Sequence, residues 1–460
     1  MIVNFSSESF LDEIYPISCL EKTDRFNLDR VAVIVLAGGQ GTRLKPLTNA
    51  RCKPAISFGG RYSLIDIPIS HSLNSGLKKI YVVGQYLATS LQKHLYETYL
   101  HHGIESKQIQ MIIPEEREGT RIWYKGTADA IRQNMDYFAE IDADYFLILS
   151  GDQLYNIDFR EMINFGRKNG ADMIIAAQPV NKKDAKRMGL LKIDHDTLRL
   201  NDFYEKPQDD SILEKYYTDD DSLLRMGYEP HQNRNYLGSM GIYLFKRQSL
   251  FNLLMNDPRA DFGNHLITTQ MKEGEVRAYL YGGYWEDIGT IDSYYHANLA
   301  LTRHADDTKR GLKCYDESQL IFTCPYNLPG AKIRGTNVTQ SILCEGAIIE
   351  ADEVTHSIIG IRSTIGPRTV IRDSILMGNE YYDRPPYPTG EHPPKPGIGH
   401  DCFIQKTIID ENVTIGNRVK LINKQHLYEY ESSPGEPKLY VKDGVMIVPR
   451  GSFLPDDYIF

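Results

Sequence analysis

The chain lacks any apolar run near the roughly 18 residues that a membrane-spanning helix requires. Its longest apolar run, around Val31 to Ala37, has the length of a buried strand. Positive charge is not in excess either, because 52 Lys and Arg residues stand against 61 Asp and Glu residues, a formal net charge of -9. This balance argues against general affinity for nucleic acid or anionic membranes. We therefore expect neither as a partner, and any bound phosphate must meet a local basic cluster.

Closely spaced cysteine pairs are also missing. The six cysteines lie far apart and form no CxxC motif, which favours reduced thiols over a disulfide framework or a zinc site. The first twenty residues contain Glu8, Asp12 and Glu13 but neither a basic start nor an apolar centre. They are unlike a secretory signal or an Arg-rich transit peptide, so we expect a cytoplasmic protein.

The length of 460 residues allows two or three domains. Between about residues 30 and 300, short apolar runs alternate with amphipathic stretches. The runs VAVIVLAGG, KKIYVVGQY, YFLILSGDQ and DMIIAAQPV predict strands buried on both faces of a parallel sheet. The segments SLIDIPISHSLNSG, TSLQKHLYETYL and GTADAIRQNMDYFAEI have helical spacing. We expect an α/β, Rossmann-like domain with a mostly parallel sheet.

From about residue 330 the pattern changes to near-hexad periodicity, which is typical of a parallel β-helix. Apolar residues recur at steps of five or six in two series: Ile348, Val354, Ile359, Ile365 and Ile371, then Ile398, Ile404, Ile409, Ile415 and Leu421. The Pro-rich stretch between the series predicts a loop that leaves the β-helix. We expect a left-handed β-helix of hexapeptide repeats.

These patterns divide the chain into four parts. We expect an N-terminal extension over 1–28, a catalytic domain over 29–300, a linker over 301–329 and the β-helix over 330–460. An acidic, aperiodic stretch at 208–234 predicts a surface insertion within the catalytic domain.

The first predicted strand is followed by Gly38-Gly39-Gln40-Gly41-Thr42-Arg43-Leu44. Glycines at this position let backbone N–H groups approach a phosphate, and Arg43 offers a bidentate donor. A dinucleotide fingerprint would need a third glycine where Leu44 stands, and the P-loop ending is absent. A nucleotide loop and a tight strand-to-helix turn both remain open. Lys53, before Pro54, is a second cation for the same phosphates, or a solvated lysine.

Carboxylates follow two further segments. Asp152 ends the third predicted strand at the sheet edge where ligands of open α/β folds bind, and Asp287 lies in Trp285-Glu286-Asp287. Two carboxylates together with substrate phosphate make a typical Mg²⁺ site. An isolated Asp after a strand is most often a helix N-cap, so that role remains open for Asp152. The adjacent pair Glu205-Lys206 predicts an acid and a base before a rigid turn, or an exposed ion pair.

Together these residues resemble a known family. GGQGTRLKPLT, CKPAISFGG, SLIDIPIS, LNSG, WYKGTADAIRQ, SGDQLY, MGLLKID, YEKP, SMGIY, DFGNHLI, YWEDIGTIDSYYHANLAL and LINK occur in the order found in the glucose-1-phosphate adenylyltransferases. These enzymes belong to the sugar-1-phosphate nucleotidylyltransferases, which all share the first motif. Only about the first 28 residues and the 208–234 stretch fall outside the resemblance.

The resemblance implies formation of ADP-glucose and pyrophosphate from ATP and glucose 1-phosphate, with Mg²⁺ as cofactor. It implies that the triphosphate is bound by Gly38, Gly39, Gly41 and Thr42, that Arg43 and Lys53 contact the leaving pyrophosphate, and that Asp152 and Asp287 bind the metal. The adenine would be recognised by Gln85, and the nucleotide and sugar would be lined by Tyr124, Gly126 and Thr127. Glucose would be contacted by Gly189, Glu205 and Ser239, and its phosphate by Lys206. Relatives often carry Ala and His where Ser150 and Gln153 stand, so we expect tuning of the metal site.

The resemblance also implies a homotetramer or heterotetramer that anionic metabolites regulate through basic residues near the domain junction. The candidates are Arg51, Lys406, Lys424 and Lys442. Lys442 occupies an activator position of relatives that respond to 3-phosphoglycerate. Ala50 replaces a lysine of relatives that respond to fructose 1,6-bisphosphate. We expect weak activation by 3-phosphoglycerate or a similar metabolite.

Three alternatives remain open. The first is a uridylyl-, thymidylyl- or mannose-1-phosphate guanylyltransferase with the same two domains. The second is a hexapeptide acyltransferase fused to the first domain, which would need His356 or His400 as its base. The third is a regulatory subunit without catalysis, against which the presence of Arg43 and Lys53 weighs.

Overall fold

The computed structural model describes residues 28–117, 120–121, 123–229, 233–303, 311–383 and 394–460. Eleven α-helices lie within these ranges: α1 Asp66–Asn74, α2 Ala88–Tyr99, α3 Thr127–Arg132, α4 Met135–Ala139, α5 Phe159–Asn169, α6 Lys182–Ala185, α7 Asp210–Lys215, α8 Asp220–Arg225, α9 Arg247–Asn256, α10 Ile267–Glu273 and α11 Ile291–Ala300.

The strands of the first domain are β1 Val31–Ala37, β2 Ser57–Phe58, β3 Tyr62–Ser63, β4 Ile80–Gly84, β5 Ile109–Ile112, β6 Glu116–Arg117, β7 Thr120–Arg121, β8 Tyr145–Ser150, β9 Gln153–Tyr155, β10 Met173–Val180, β11 Gly189–Ile193, β12 Leu200–Glu205, β13 Tyr236–Lys246, β14 Val276–Leu280 and β15 Trp285–Asp287. Nine of them form one sheet with the path β12-β11-β13-β8-β1-β4-β5, to which β10 and β14 attach through β13.

The centre of this sheet is parallel, as the near-continuous apolar runs predict. Strand β1 pairs in parallel with β4 and β8, and its residues are almost all buried because helices cover both faces. The run DMIIAAQPV forms β10, which is parallel to β14 but antiparallel to β13. Apolar composition predicts burial on both faces without specifying strand direction, so this strand is only partly as expected.

Two of the three predicted helices form as single helices, α1 and α2. The third, expected over 126–141, is divided into α3 and α4, which corrects the prediction. Asn134 lies at the division, where its Nδ2 donates to Ala130 O at 2.8 Å and to the Tyr124 hydroxyl at 2.9 Å. An Asn side chain competes with the helical backbone in this way.

The stretch 208–234 is more ordered than an aperiodic insertion. Its residues 230–232 lie outside the described ranges, and the rest includes α7 and α8. Asp209 and Asp219 cap these helices by accepting backbone N–H bonds from Ser211 and Ser222. Two of the acidic residues that made this stretch look irregular are therefore helix caps.

The second domain is a triangular parallel β-helix, as the hexad spacing predicts. Its strands are β16 Lys332–Ile333, β17 Asn337–Thr339, β18 Ile342–Leu343, β19 Ile348–Ile349, β20 Glu353–Thr355, β21 Ile358–Ile359, β22 Thr364–Ile365, β23 Val370–Arg372, β24 Ile375–Leu376, β25 Gly397–Ile398, β26 Phe403–Gln405, β27 Thr407–Ile409, β28 Thr414–Ile415, β29 Lys420–Leu421, β30 Tyr430–Glu431, β31 Tyr440–Lys442, β32 Val445–Val448 and β33 Phe453–Leu454. Every third strand belongs to the same sheet through most of the coils.

Nine of the ten predicted core positions are buried in the β-helix, from Val354 to Leu421. Ile348 is the exception, since it is 37% exposed and its neighbour Ile349 takes the inward position. The correction follows from strand geometry, because successive side chains point to opposite faces. Most of the Pro-rich stretch between the two series, 384–393, lies outside the described residues.

One sheet of the β-helix is apolar on both faces and joins the domains. Ile358, Ile375, Ile408 and Ile447 form a ladder across β21, β24, β27 and β32, and they share a core with Leu44 of the first domain. The next residue in each strand points into the β-helix instead. The β-helix therefore packs directly beneath the segment that follows the glycine loop.

The expected linker runs along the first domain where the structure describes it. Phe322 N donates to Ser70 Oγ at 2.9 Å, and Thr323 Oγ1 donates to Asp66 Oδ2 at 2.9 Å. Residues 304–310 lie outside the described ranges, as does the expected extension up to residue 27.

Two findings on the described residues concern the composition. Cys52, Cys314, Cys324, Cys344 and Cys402 are free thiols, whereas Cys19 lies outside these ranges. No helix in the described part of the chain has the length and apolar character needed to cross a membrane.

Candidate active site

The glycine loop follows β1 at the carboxyl edge of the sheet and turns into a short 3₁₀ helix, Thr42–Leu44. Gly41 has a φ of 60°, and a Cβ there would lie 2.9 Å from Thr48 Cγ2 and 3.0 Å from Lys53 Cβ. Backbone geometry and space both require glycine at this position. The loop is thus packed against the stem of Lys53, which brings the two predicted phosphate-binding elements together.

Asp152 and Asp287 meet through a small antiparallel sheet of β9 and β15. Asp287 pairs with Gln153, the residue after Asp152. Arg43 approaches from the glycine loop, because a Cβ on Gly289 would lie 3.1 Å from Asp287 Oδ2 and 3.6 Å from Arg43 Nη2. Arg43, Asp152 and Asp287, which are distant in sequence, therefore converge at one edge of the sheet.

Charges at this edge are buried and interact strongly. Lys53 Nζ lies 2.5 Å from Asp152 Oδ2. Burial raises the pKa of Asp287, and the neighbouring Asp152 charge raises it further. Burial opposes ionisation of Asp152 as well, but the contact with Lys53 outweighs it and lowers the pKa of Asp152. Likewise the two carboxylates overcome the effect of burial on Lys53 and raise its pKa.

The two carboxylates fit a divalent cation. They present oxygen donors and carry a mutual repulsion that a cation would relieve, and Mg²⁺ takes few protein carboxylates when substrate phosphates supply further oxygens. Within the described ranges, no group of three or more His, Cys, Asp or Glu side chains could hold a metal by itself. The site thus fits a metal that binds together with substrate.

Ser150 and Gln153 hold the carboxylate-bearing segment in place. Ser150 Oγ donates to Asp152 Oδ1. Gln153 Nε2 donates to Met240 O at 2.8 Å, and its Oε1 accepts from Trp285 Nε1 at 3.3 Å. Gln153 therefore connects the metal candidates to β13 as well as to β15.

The predicted nucleotide residues lie on the other side of the glycine loop. Gln85 Oε1 accepts from Tyr124 N at 2.8 Å, and Gln85 Nε2 donates to Tyr124 O at 3.3 Å. Gly38 lies directly beneath Gln85, since a Cβ there would be 3.4 Å from Gln85 Cγ. In this structure the Gln85 amide orients the backbone of Tyr124, and a base would reach that amide only by replacing these two bonds.

Gly126 and Thr127 begin α3 and face a residue that the sequence analysis gave no role. Asp261 Oδ1 accepts from Thr127 N at 3.2 Å. A Cβ on Gly126 would lie 2.6 Å from Asp261 Oδ1 and from Ala260 O. The signal for Asp261 was present in the DFGNHLI motif, which carried the resemblance without a role for this residue.

The predicted sugar residues occupy three adjacent strands, β12, β11 and β13. Gly189 pairs with Glu205, and the register of β11 with β13, continued by one residue, places Gly189 opposite Ser239. A Cβ on Gly189 would lie 2.6 Å from Glu205 Oε2. Lys206, whose φ is 49°, returns its Nζ to donate to Glu205 Oε1. Glu205 and Lys206 therefore form the ion pair that the sequence left open, and Glu205 lies beside Gly189.

Candidate regulatory residues have different surroundings. Arg51 is buried in ion pairs with Asp410 and Glu411, so an anionic effector would reach it only by displacing two carboxylates. Lys442 Nζ lies 2.6 Å from Glu429 Oε2. Lys406 and Lys424 are exposed.

The two histidines considered for acyl transfer are bonded to aspartates of the β-helix. His356 Nδ1 lies 2.7 Å from Asp373 Oδ1, and His400 Nδ1 lies 2.6 Å from Asp401 Oδ2.

Comparison with known proteins agrees with this geometry. A family model described as nucleotidyl transferase matches residues 32–304, more than half of the chain. The chain therefore belongs to the nucleotidyl transferase family. A second model, the GLGC left-handed parallel beta-helix domain, matches residues 326–459 and confirms the predicted handedness. Together they define a sugar-1-phosphate nucleotidyltransferase of the GLGC type, whose substrates are a nucleotide and a sugar phosphate and whose family generally uses a divalent metal.

Proposed function

We propose that this protein transfers the adenylyl group of ATP to α-D-glucose 1-phosphate, giving ADP-glucose and pyrophosphate for glycogen or starch synthesis. The observation that carries the proposal is the convergence of Arg43 and Lys53 with Asp152 and Asp287 at the carboxyl edge of the sheet. Such a site can hold a triphosphate and a sugar phosphate while supplying both cations and carboxylates.

The reaction is an in-line displacement at phosphorus. An oxygen of the glucose 1-phosphate attacks the α-phosphorus of ATP, and the bond to the bridging oxygen of pyrophosphate breaks. No protein nucleophile and no net proton transfer to the chain is required. The protein contributes by holding two anions in contact and by stabilising the charge that develops on the leaving group.

Each group of residues has a physical task in this proposal. The backbone of the glycine loop from Gly38 to Thr42 cradles the triphosphate, and Arg43 and Lys53 stabilise pyrophosphate as it leaves. Lys206 binds the sugar phosphate while Glu205 accepts hydroxyl hydrogen bonds from glucose. Mg²⁺, held by Asp152 and Asp287, would supply further positive charge to the phosphates.

The test is pyrophosphate release by the purified protein with Mg²⁺ across a matrix of ATP, UTP, dTTP and GTP against glucose 1-phosphate and mannose 1-phosphate. We expect the highest kcat/KM with ATP and glucose 1-phosphate. A preference for another nucleotide would assign the chain to a different sugar nucleotidyltransferase. Absence of turnover with all pairs, in a folded protein that still binds ATP, would favour the regulatory subunit.

We further propose that the protein is a tetramer whose rate responds weakly to 3-phosphoglycerate through Lys442. Its contact with Glu429 is partly exposed and is worth little, so an anion could compete for the lysine. Initial rates are titrated with 3-phosphoglycerate and with fructose 1,6-bisphosphate for wild type, Lys442→Ala and the exposed control Lys332→Ala. An identical response of Lys442→Ala and wild type would exclude Lys442 as an effector-binding residue. The proposed tetramer is tested separately by light scattering, which measures the mass of the oligomer.

A further inference from the structure

Arg51 connects the catalytic domain to the β-helix through a buried ion pair. Its Nη2 lies 2.5 Å from Asp410 Oδ1 and its Nη1 lies 3.0 Å from Glu411 Oε2. The side chains of Arg51 and Asp410 are only 3% and 1% exposed. The cation comes from the segment after the glycine loop, and both carboxylates come from a turn of the β-helix.

The β-helix orients these carboxylates with further contacts of its own. Arg450 Nη1 lies 2.5 Å from Glu411 Oε2, and Arg450 Nη2 lies 2.8 Å from Glu380 Oε2. Asn412 Nδ2 donates to the same Glu380 oxygen at 2.7 Å. Because these residues belong to the β-helix, the carboxylates form a fixed receptor for the Arg51 guanidinium.

The opposite side of the same segment belongs to the active site. Lys53, two residues after Arg51, contacts Asp152, and the intervening Cys52 is fully buried in the core of the first domain. Thr48 Oγ1 donates to Gly41 O at 3.0 Å. The segment from Thr48 to Lys53 is therefore tied to the glycine loop on one side and to the β-helix on the other.

A buried charge pair is a costly way to hold two domains together. Desolvating both partners cancels much of their attraction, and apolar residues in the same place often stabilise a fold better. The shared apolar core already packs the β-helix against the first domain. What an ion pair adds to apolar packing is direction, because the guanidinium has its planar donors fixed by two carboxylates.

We propose that Arg51 is a positioning residue. Its ion pairs with Asp410 and Glu411 hold Lys53 where it can contact the leaving pyrophosphate. The inference rests on the proposed function, because that function assigns Lys53 to the leaving pyrophosphate. The β-helix would then affect the reaction rate through Arg51, although it contributes no group that touches the substrate.

The test compares Arg51→Lys, Arg51→Gln and Asp410→Asn with the control Asp401→Asn. Asp401 forms a bidentate pair with Arg368 on the exposed surface of the same β-helix. Rates are measured below the lowest unfolding temperature, with the folded fraction determined by circular dichroism. We expect kcat to fall at least tenfold in Asp410→Asn and Arg51→Gln and less in Arg51→Lys, while the KM for glucose 1-phosphate stays within about twofold and the control behaves as wild type.

A purely structural ion pair would give a different result. It would lower the unfolding temperature and leave kcat per folded molecule within twofold of wild type. This outcome in Asp410→Asn and Arg51→Gln would overturn the proposal. Rates use the nucleotide and sugar phosphate that the wild type turns over fastest, so a different substrate preference changes the proposed function and leaves this comparison intact. If the wild type shows no turnover, calorimetric binding of ATP replaces kcat, with weaker binding expected in Asp410→Asn and unchanged binding contradicting the inference.

Discussion

Asp152→Asn and Asp287→Asn should both strongly reduce activity but change stability in opposite directions. Asp152 touches Lys53, whereas Asp287 is a buried carboxylate with a raised pKa next to another carboxylate. In the metal-free protein, the ionised form of Asp152 therefore stabilises the fold and the ionised form of Asp287 opposes it.

The magnitudes follow from these contacts. Removing one member of a buried ion pair costs about 3 to 5 kcal/mol, and since Asp287 still attracts Lys53 we expect about 2 to 3 kcal/mol for Asp152→Asn. Two neighbouring carboxylates repel by a few kcal/mol at an effective dielectric constant of about 20. Attraction of Asp287 to Lys53 and Arg43 offsets most of that repulsion, so Asp287→Asn should gain on the order of 1 kcal/mol.

The effects of the two substitutions on stability should also depend on pH in opposite ways. A raised pKa means that native Asp287 binds its proton more tightly than the unfolded chain does, so its contribution to stability is lost as pH rises through the folded pKa. Below about pH 4 aspartate is protonated in both states, and the advantage of Asp287→Asn should disappear. The lowered pKa of Asp152 predicts the reverse: the penalty of Asp152→Asn is full at neutral pH and shrinks as pH falls through the folded pKa.

The assay combines thermal unfolding with pyrophosphate release. Unfolding is recorded in EDTA at pH 4 and pH 7.5 and again with Mg²⁺ and ATP, for both variants and for Asp196→Asn, an exposed turn residue. A ligand that binds only the native state stabilises it, so ligand addition should raise the unfolding temperature of wild type and control more than that of either variant. Both variants should lose about a hundredfold or more in rate. Near-wild-type turnover in either one, or equal destabilisation by both in EDTA, would refute the reasoning.

Three further predictions concern other parts of the site. Lys206→Ala should raise the KM for glucose 1-phosphate by a factor of about 10 to 100, since a charge-assisted contact contributes about 1.5 to 3 kcal/mol, and an equal rise in the KM for ATP would contradict a role on the sugar phosphate. Gly41→Ala should reduce kcat strongly because the added Cβ displaces Thr48 or Lys53 at a positive φ, whereas wild-type kinetics would show that the loop adapts. Deleting the chain from about residue 320 should give insoluble protein because it exposes the shared apolar core, and a soluble, fully active monomer would contradict this.

Periodicity predicted the fold well because it depends on local alternation. The apolar pattern predicts strands β1, β4 and β8 and the hexad rows of the β-helix, because the side chains of these strands are buried on one or both faces. The errors also have local causes, since a one-residue shift exchanges Ile348 with Ile349, and Asn134 divides a helix whose apolar spacing continues. The direction of β10 depends on its neighbours, which lie far away in sequence.

The site was predictable only in part. A glycine loop with Arg43 and a carboxylate at a strand end are recognisable from their local context, but the meeting of Asp152 with Asp287 depends on a pairing of β9 with β15 that no local pattern encodes. Arg51 is the clearest case. The resemblance made it a candidate for binding an anionic effector, whereas its partner Asp410 lies 359 residues further along the chain.

The sheet of the β-helix that is apolar on both faces has a consequence for recombination between relatives. Its apolar doublets, such as Ile358-Ile359 and Ile408-Ile409, face the β-helix core with one residue and the first domain with the other. A crossover in the linker would combine the Ile358–Ile447 ladder of one parent with the residues around Leu44 of the other parent. It would also separate Arg51 from Asp410 and Glu411, the carboxylates with which it forms ion pairs. In a viable chimera the segment from about 44 to 67 and the β-helix should therefore come from the same parent, although they belong to different domains.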